Sequence, residues 1–205
     1  MCIRDRLQAY HGGAQHLRSF AERQEAIGQA VEGVQHTMNL LSQHGLECEL
    51  VSGAGSGTYA FEAASGVYNE LQAGSYIFMD VDYGKNLDAD GTPWHEFEHS
   101  LFVYATVMSR PNRDWAVVDV GLKALSVDSG LPVMADLPQA EYVGASDEHG
   151  KVLLNDPDSP VRIGDKLRLI PGHCDPTVNL YDWYVGLRNN RVEALWPITA
   201  RGAGH

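Results

Sequence analysis

The sequence predicts a mixed fold, in which an α/β segment is followed by an all-β domain. Two patterns predict it: a long helix flanked by short strands comes first, and a succession of strand-like runs separated only by turns follows. We place the boundary after residue 84, where the pattern changes. Residues 1–6 lack any periodicity and are interpreted as a non-native extension. The predicted units are therefore residues 7–84 and residues 85–205.

The first unit is predicted to be organised around one amphipathic helix between Ala14 and His44. Its apolar side chains recur at steps of three and four, and Gly45 follows as a residue suited to end a helix. A strand on either side of such a helix is typical of a parallel βα unit. The neighbouring elements predicted are strands at Leu7–His11, Glu47–Val51 and Ser75–Met79, and a short helix at Phe61–Ser65.

The second unit is predicted to contain only strands and turns. Asn189-Asn190 and His149-Gly150 have the residue types of tight hairpin turns. Short strands that follow one another in this way predict a small barrel or sandwich. The predicted strands are Ser100–Met108, Trp115–Val120, Ala140–Ala145, Lys151–Leu154, Lys166–Ile170, Tyr181–Leu187 and Val192–Pro197.

Charge and cysteine content exclude several classes of protein. The net charge of −12, from 27 acidic and 15 basic residues, would repel a polyanion, so we expect no nucleic-acid partner. Three widely spaced cysteines predict neither a disulfide framework nor a four-cysteine zinc site, and they favour a reducing cytoplasm. No apolar run approaches the roughly 20 residues that span a bilayer, so no membrane partner is expected.

One segment has the residue types of a metal site. His173 and Asp175 follow the apolar strand that ends at Ile170, and residues two apart in extended backbone share a face, with Cys174 pointing away. An imidazole beside a carboxylate forms half of a divalent-metal site. Taken alone, the pattern more often describes a surface histidine paired with a neighbouring aspartate.

Other segments suit an anion or a turn. Glycines in the run from Gly53 to Thr58 allow backbone N–H groups to converge on a phosphate, and Ser56 and Thr58 add hydroxyl donors, although such loops often serve only as tight turns. The run lacks the lysine of a nucleotide-binding loop. Gly74-Ser75-Tyr76 and Ser146–Gly150 are each also explained as plain turns.

Together these segments resemble D-threonine aldolase and 3-hydroxy-D-aspartate aldolase, relatives of eukaryotic D-serine dehydratase. The resemblance covers residues 7–202, and the His-Cys-Asp run at residues 173–175 is its most specific part. It implies the last part of an alanine-racemase-like TIM barrel followed by a small β-domain. It also implies two cofactors, pyridoxal phosphate and a divalent metal. The matching segments are Leu7–Gly12, Val51–Tyr59, Ala73–Asp80, Val118–Ser126, Asp147–Gly150 and Pro171–Thr177.

The same resemblance assigns roles to individual residues. His173 and Asp175 would bind the metal, and their nitrogen and hard oxygen favour magnesium or manganese over zinc. Asp147 and His149 would lie beside the metal as acid–base groups, with His173 also taking part in catalysis. Gln8 and Tyr10 would face the cofactor ring. The cofactor phosphate would be held by Gly55, Ser56, Gly57, Thr58, Gly74, Ser75 and Tyr76.

One departure from the family concerns lysine. The family's cofactor lysine lies in an early barrel strand, and no matching motif occurs in this sequence. The chain therefore looks like about half of a family member. Its parent is expected to cleave β-hydroxy-D-amino acids to glycine and an aldehyde, and could assemble as a homodimer. The lysines, Lys85, Lys123, Lys151 and Lys166, all follow the predicted barrel part.

Two alternatives stay open at this point. One is an enzyme of the D-serine dehydratase type, in which the metal would help hydroxide to leave; there we expect a softer His-x-Cys pair that favours zinc. The other is a catalytically inactive β-domain that serves only as a binding or assembly module.

Overall fold

The computed structural model describes residues 5–156 and 158–203, and its chain divides into two compact units after Glu98. The first unit continues beyond residue 84 because the following segment is tied back to it. Leu87 donates a backbone hydrogen bond to the carbonyl of Arg18 at 2.8 Å, and Trp94 donates one to the carbonyl of Asn86 at 2.7 Å. Lys85 consequently belongs to the first unit.

A parallel three-stranded sheet forms the base of the first unit. Its strands are β1 (Arg6–Gln8), β2 (Leu50–Gly53) and β3 (Glu70–Leu71), in the order β1-β2-β3. Arg6, assigned from the sequence to the extension, pairs with Leu50 as the first residue of β1. The predicted βα unit is therefore present.

The long helix α1 (Phe20–Gln43) begins later than the sequence predicted. The Ser19 hydroxyl accepts a hydrogen bond from the N–H of Glu22, and the Glu22 carboxylate accepts one from the N–H of Ser19, a reciprocal cap that fixes the helix start. The preceding Gly12–His16 forms a 3-10 helix instead. Gly45, with φ of +70°, follows the helix end as expected.

The buried side of α1 packs on the sheet. Val34 of the helix, Val51 of β2 and Tyr68 form a hydrophobic cluster. These contacts explain the spacing of the apolar residues in α1, because only one face of the helix is removed from water.

The prediction of a strand at Ser75–Met79 is wrong. Ser75–Ile77 forms a 3-10 helix, because the N–H groups of Ile77 and Phe78 turn back to the carbonyls of Gly74 and Ser75. A short apolar run cannot by itself distinguish strand from helix. The predicted short helix is present as α2 (Tyr59–Ala64).

The second unit contains a six-stranded antiparallel sheet in the order β6-β9-β4-β5-β8-β7. Its end strands β6 and β7 approach each other, which gives the sheet a barrel-like form around an apolar core. The predicted all-β architecture is confirmed. The strands are β4 (Val103–Ser109), β5 (Trp115–Val118), β6 (Val133–Met134), β7 (Glu141–Ala145), β8 (Gly150–Leu153) and β9 (Lys166–Ile170).

A separate hairpin, β10 (Trp183–Arg188) and β11 (Arg191–Pro197), follows the short helix α3 (Cys174–Val178). Asn189 and Asn190 both have positive φ, as a two-residue hairpin turn requires. The other predicted turn is shifted, because Gly150 is the first residue of β8. One face of the hairpin exposes the apolar side chains of Trp183, Val185, Leu187, Val192 and Leu195.

Candidate functional site

The His173–Asp175 pair lies where β9 gives way to α3. The prediction of extended backbone through the pair is wrong. His173 is extended (φ −142°, ψ 123°), but Asp175 lies in the first turn of α3. In this turn the Asn179 N–H donates to the Asp175 carbonyl at 3.3 Å, and the Thr177 hydroxyl donates to the His173 carbonyl at 2.8 Å. The two side chains still converge, with His173 Nε2 3.8 Å from Asp175 Oδ2. That separation is less than two metal–ligand bonds of about 2.0 to 2.6 Å.

Gly172 holds the chain close to a neighbouring turn just before His173. A Cβ at this position would lie 2.0 Å from the carbonyl oxygen of Gly130, a backbone atom that cannot swing away. We expect Gly172→Ala to destabilise the chain by about 1–3 kcal/mol in thermal or urea unfolding. Gly144→Ala is the control, because nothing lies within 4 Å of that Cβ position. Equal stability of both variants would contradict the close approach of Gly172 to Gly130.

Asp128 fixes the imidazole of His173 from the other side. Its Oδ2 lies 2.7 Å from His173 Nδ1, and the Ser129 hydroxyl lies 3.3 Å from the same nitrogen. Partial burial raises the pKa of Asp128, but hydrogen bonds with Ser126, His173 and Ser129 outweigh it and lower the pKa to about 2. Asp128 is therefore a carboxylate at neutral pH. Asp128 was not predicted from the sequence, where its only signal was a polar turn just after a matching segment.

The prediction that Cys174 points away from the pair is wrong. Its side chain is completely buried, yet its thiol donates to Asp175 Oδ1 at 3.4 Å. The cause is the helical turn, in which successive side chains do not point to opposite faces as they do in a strand.

Asp147 and His149 occupy the exposed loop between β7 and β8. The loop is packed against Gly121, where a Cβ would lie 2.3 Å from the Ser146 carbonyl oxygen. Neither side chain makes a hydrogen bond or ion pair with His173 or Asp175 in the described ranges. Their proximity to the metal remains a prediction.

The glycine-rich loop after β2 and the Gly74-Ser75-Tyr76 segment are brought together. The Ser56 hydroxyl, fully buried, accepts a hydrogen bond from the backbone N–H of Tyr76 at 2.8 Å. The hydroxyl proton of Ser56 is then available for a further acceptor. Two segments that the sequence assigned to one phosphate therefore do meet in space.

The backbone of this loop carries unused donors. Gly55 and Ser56 are buried, and within residues 5–156 and 158–203 neither N–H donates a hydrogen bond. Buried N–H groups normally find an acceptor. A phosphate group would supply one, so this part of the loop fits the phosphate of pyridoxal phosphate.

Thr58 is a correction to the predicted set. Its hydroxyl donates to Glu62 Oε1 at 2.8 Å and accepts from Gln15 Nε2 at 2.7 Å, while its N–H donates to the Gly55 carbonyl at 3.2 Å. Both of its donors are committed inside the protein. Thr58 therefore supports the loop and has no donor left for an anion.

Gln8 and Tyr10 lie at the end of β1 with exposed side chains. Gln8 donates its amide to Gln72 Oε1 at 2.6 Å. Both residues line a groove between β1 and α1, whose walls include Gly33 and Val34 but none of the phosphate-loop residues. The structure thus places them on the same unit as the phosphate loop.

The described ranges lack two kinds of feature. No group of three or more His, Cys, Asp or Glu side chains is arranged to hold a metal ion there. In the same part of the chain, no helix combines the length and apolar character needed to cross a bilayer.

Comparison with known proteins identifies relatives along most of the chain. Residues 100–187 match the family model described as a putative serine dehydratase domain. The chain is 50% identical over 201 residues to 3-hydroxy-D-aspartate aldolase of Paracoccus denitrificans, covering 97% of this chain and 51% of the relative. The chain thus spans about half the length of the curated relatives it matches.

Solved structures of similar proteins support the same relationship. D-threonine aldolase from Filomicrobium marinum superposes with a TM-score of 0.91 at 45% identity, covering 97% of this chain and 53% of the other. An alanine-racemase-like protein from Idiomarina loihiensis gives a TM-score of 0.70 at 22% identity over 88% of this chain and 52% of the other, which supports the fold alone. The chain is similar over most of its length to D-threonine and 3-hydroxy-D-aspartate aldolases, and it has an alanine-racemase-like fold.

Proposed function

We propose that this chain is the carboxy-terminal half of a pyridoxal-phosphate- and divalent-metal-dependent aldolase. It would cleave β-hydroxy-D-amino acids of the D-threonine type to glycine and an aldehyde. The observation that carries the proposal is the Asp128–His173–Asp175 arrangement. An imidazole held at one nitrogen by a carboxylate, with its other nitrogen near a second carboxylate, is typical of a metal ligand and its supporting shell.

The donor set suits a hard divalent cation. His173 Nε2 and an Asp175 oxygen would bind it, and water and the substrate hydroxyl would complete the coordination. One nitrogen and one oxygen favour magnesium or manganese over zinc. Asp128 would keep the imidazole oriented and increase its basicity.

The first unit would bind the cofactor phosphate through the donors of Gly55 and Ser56. Gly74, Ser75 and Tyr76 would complete this site, with Gly57 and Thr58 as structural members of the loop. Gln8 and Tyr10 would face the cofactor ring. When bound, pyridoxal phosphate would supply an electron sink for the bond cleaved, and the metal would lower the pKa of the β-hydroxyl. Asp147 and His149 would accept or return the hydroxyl proton.

A dehydratase of the D-serine type is the second candidate, favoured by the description of the matching family model. Incubating the parent enzyme with D-threonine and with D-serine separates the two. Glycine and acetaldehyde from D-threonine support the aldolase, whereas ammonia and a keto acid support the dehydratase. No product from either substrate would leave the third interpretation, an inactive β-domain module.

We further propose that the parent carries its cofactor lysine in a preceding segment, works on a free D-amino acid in the cytoplasm, and forms a homodimer. The first of these proposals is supported by β1, which pairs only with β2 in the described ranges. A closed (β/α)₈ barrel of about 250 residues needs more strands than these three. Mass and light scattering of the parent would test its assembly.

Asp128→Asn should reduce the affinity of the chain for Mn²⁺ by about 10- to 100-fold, because a supporting carboxylate orients a metal-bound histidine. Electron paramagnetic resonance of free Mn²⁺ during a titration measures this. Asp136→Asn is the matched control, since that carboxylate pairs with Arg168 elsewhere in the same unit. An unchanged affinity in Asp128→Asn would contradict the proposed role.

A further inference from the structure

The phosphate loop rests on one buried side chain that the proposed function does not use. Gln15, in the 3-10 helix before α1, has 0% exposure. Its Oε1 accepts from the N–H of Gly57 at 3.0 Å. Its Nε2 donates to Thr58 Oγ1 at 2.7 Å and to the His11 carbonyl at 3.2 Å. A buried amide with both ends engaged holds whatever it binds in one geometry.

The loop also lies in van der Waals contact with Gln15. A Cβ at Gly55 would be 2.5 Å from Gln15 Oε1, and a Cβ at Gly57 would be 2.6 Å from the Gln15 carbonyl oxygen. Glycine is required at both positions for this close approach. Gln15 is itself fixed, because Asn86 Nδ2 donates to its carbonyl at 3.0 Å.

These contacts divide the donors of the loop into two sets. The N–H of Gly57 and the amide-bound hydroxyl of Thr58 are turned to the interior. The N–H groups of Gly55 and Ser56 make no hydrogen bond to other described residues. Without Gln15 the Gly57 N–H would lose its acceptor, and the loop would turn to satisfy it and displace the Gly55 and Ser56 N–H groups.

We propose that Gln15 is the positioning residue of the phosphate site: its amide fixes the loop so that Gly55 and Ser56 present their N–H groups to a phosphate monoester. The inference rests on the proposed function, because it presumes that this loop binds phosphate. Gln15 does not touch the phosphate itself.

An amide is needed here because it both accepts and donates. A carboxylate of the same shape would still accept from Gly57 but could not donate to Thr58 unless protonated. It would also add a charge close to Glu62, which the Thr58 hydroxyl joins at 2.8 Å. Two titratable residues adjoin this hydrogen-bond network: His11, whose carbonyl accepts from Gln15, and Glu62, which accepts from Thr58. Burial raises the pKa of the Glu62 carboxyl.

The experiment titrates pyridoxamine 5′-phosphate and pyridoxamine into the 205-residue chain by calorimetry between pH 5 and pH 8.5. Neither compound has the aldehyde that reacts with lysines, and their ratio of affinities isolates the phosphate. We expect the chain to prefer the phosphorylated compound. Q15E should lose about 10-fold of that preference at pH 8, which corresponds to the loss of roughly one charge-assisted hydrogen bond to the phosphate. The preference should return at low pH, where the protonated carboxyl can again donate to Thr58. Gln24→Glu adds the same charge at an exposed position on α1 and should change nothing.

The outcomes are distinguishable. If the unsubstituted chain shows no preference for the phosphorylated compound, both the phosphate site and this inference are overturned. If it does, and Q15E keeps the full preference at every pH, only the inference fails. Amide NMR of the unsubstituted chain covers the case in which Q15E does not fold. The Gly55 and Ser56 amide signals should move on adding pyridoxamine 5′-phosphate while Gly57 stays constant, and the reverse pattern would overturn the proposal.

Discussion

Asp175→Ala in the full-length parent should lower metal-dependent cleavage of D-threonine by about 100-fold or more while the cofactor absorbance band persists. The reason is that the metal and the cofactor phosphate are proposed to bind at two separate sites. Asp175 would supply one of two protein ligands to the cation that activates the β-hydroxyl, and activation of this kind contributes several kcal/mol. The cofactor phosphate would be bound by a different unit of the chain, so its occupancy should not depend on this carboxylate.

The matched control is Asp182→Ala, an exposed carboxylate of the same unit that pairs with Arg201 at 2.7 Å. It should retain full activity and full Mn²⁺ binding. His173→Ala should behave like Asp175→Ala, because each removes one ligand. Loss of the cofactor band in Asp175→Ala would show that the metal has been given the wrong role. Full activity in both ligand variants would show that the pair binds no metal.

The sequence predicted the fold most successfully where periodicity was long. The 3-4 spacing of apolar residues located α1, and the positive φ at Asn189 and Asn190 agrees with the predicted hairpin turn. It failed where a local cap or a short run decided the outcome. The capping box at Ser19 shortened the helix, and the five-residue run from Ser75 turned back on itself rather than extending. Such outcomes depend on hydrogen bonds that hydrophobic spacing does not encode.

The candidate site was predicted residue by residue with uneven success. His173 and Asp175 do converge, although through a helical turn and not through the extended backbone that was assumed. Asp128 and Gln15 were missed because each lies far along the chain from the residue it supports. Their importance follows from tertiary contacts that no local motif predicts. Asp128 Oδ2 lies 2.7 Å from His173 Nδ1, and Gln15 Nε2 lies 2.7 Å from Thr58 Oγ1.

The isolated chain should neither attach pyridoxal phosphate covalently at a single site nor cleave D-threonine. A covalent bond to the cofactor needs a lysine amine beside the phosphate site. Lys85, contrary to the sequence prediction, lies in the first unit, but it is exposed and makes no hydrogen bond or ion pair with the Gly55–Thr58 loop in the described ranges. Lys123 is paired with Glu148 at 2.8 Å in the second unit. Neither therefore replaces the family's cofactor lysine.

Borohydride reduction after mixing the chain with pyridoxal phosphate, followed by peptide mass spectrometry, measures this directly. Exposed lysines should be labelled sparsely and at several positions, and Lys85→Arg should leave the total almost unchanged. The parent should instead take up one equivalent on a lysine outside residues 7–203. One equivalent fixed on Lys85 or Lys123 would mean that the chain holds its own cofactor lysine. The half-enzyme proposal would then fail, because the retained residues would suffice for the covalent step.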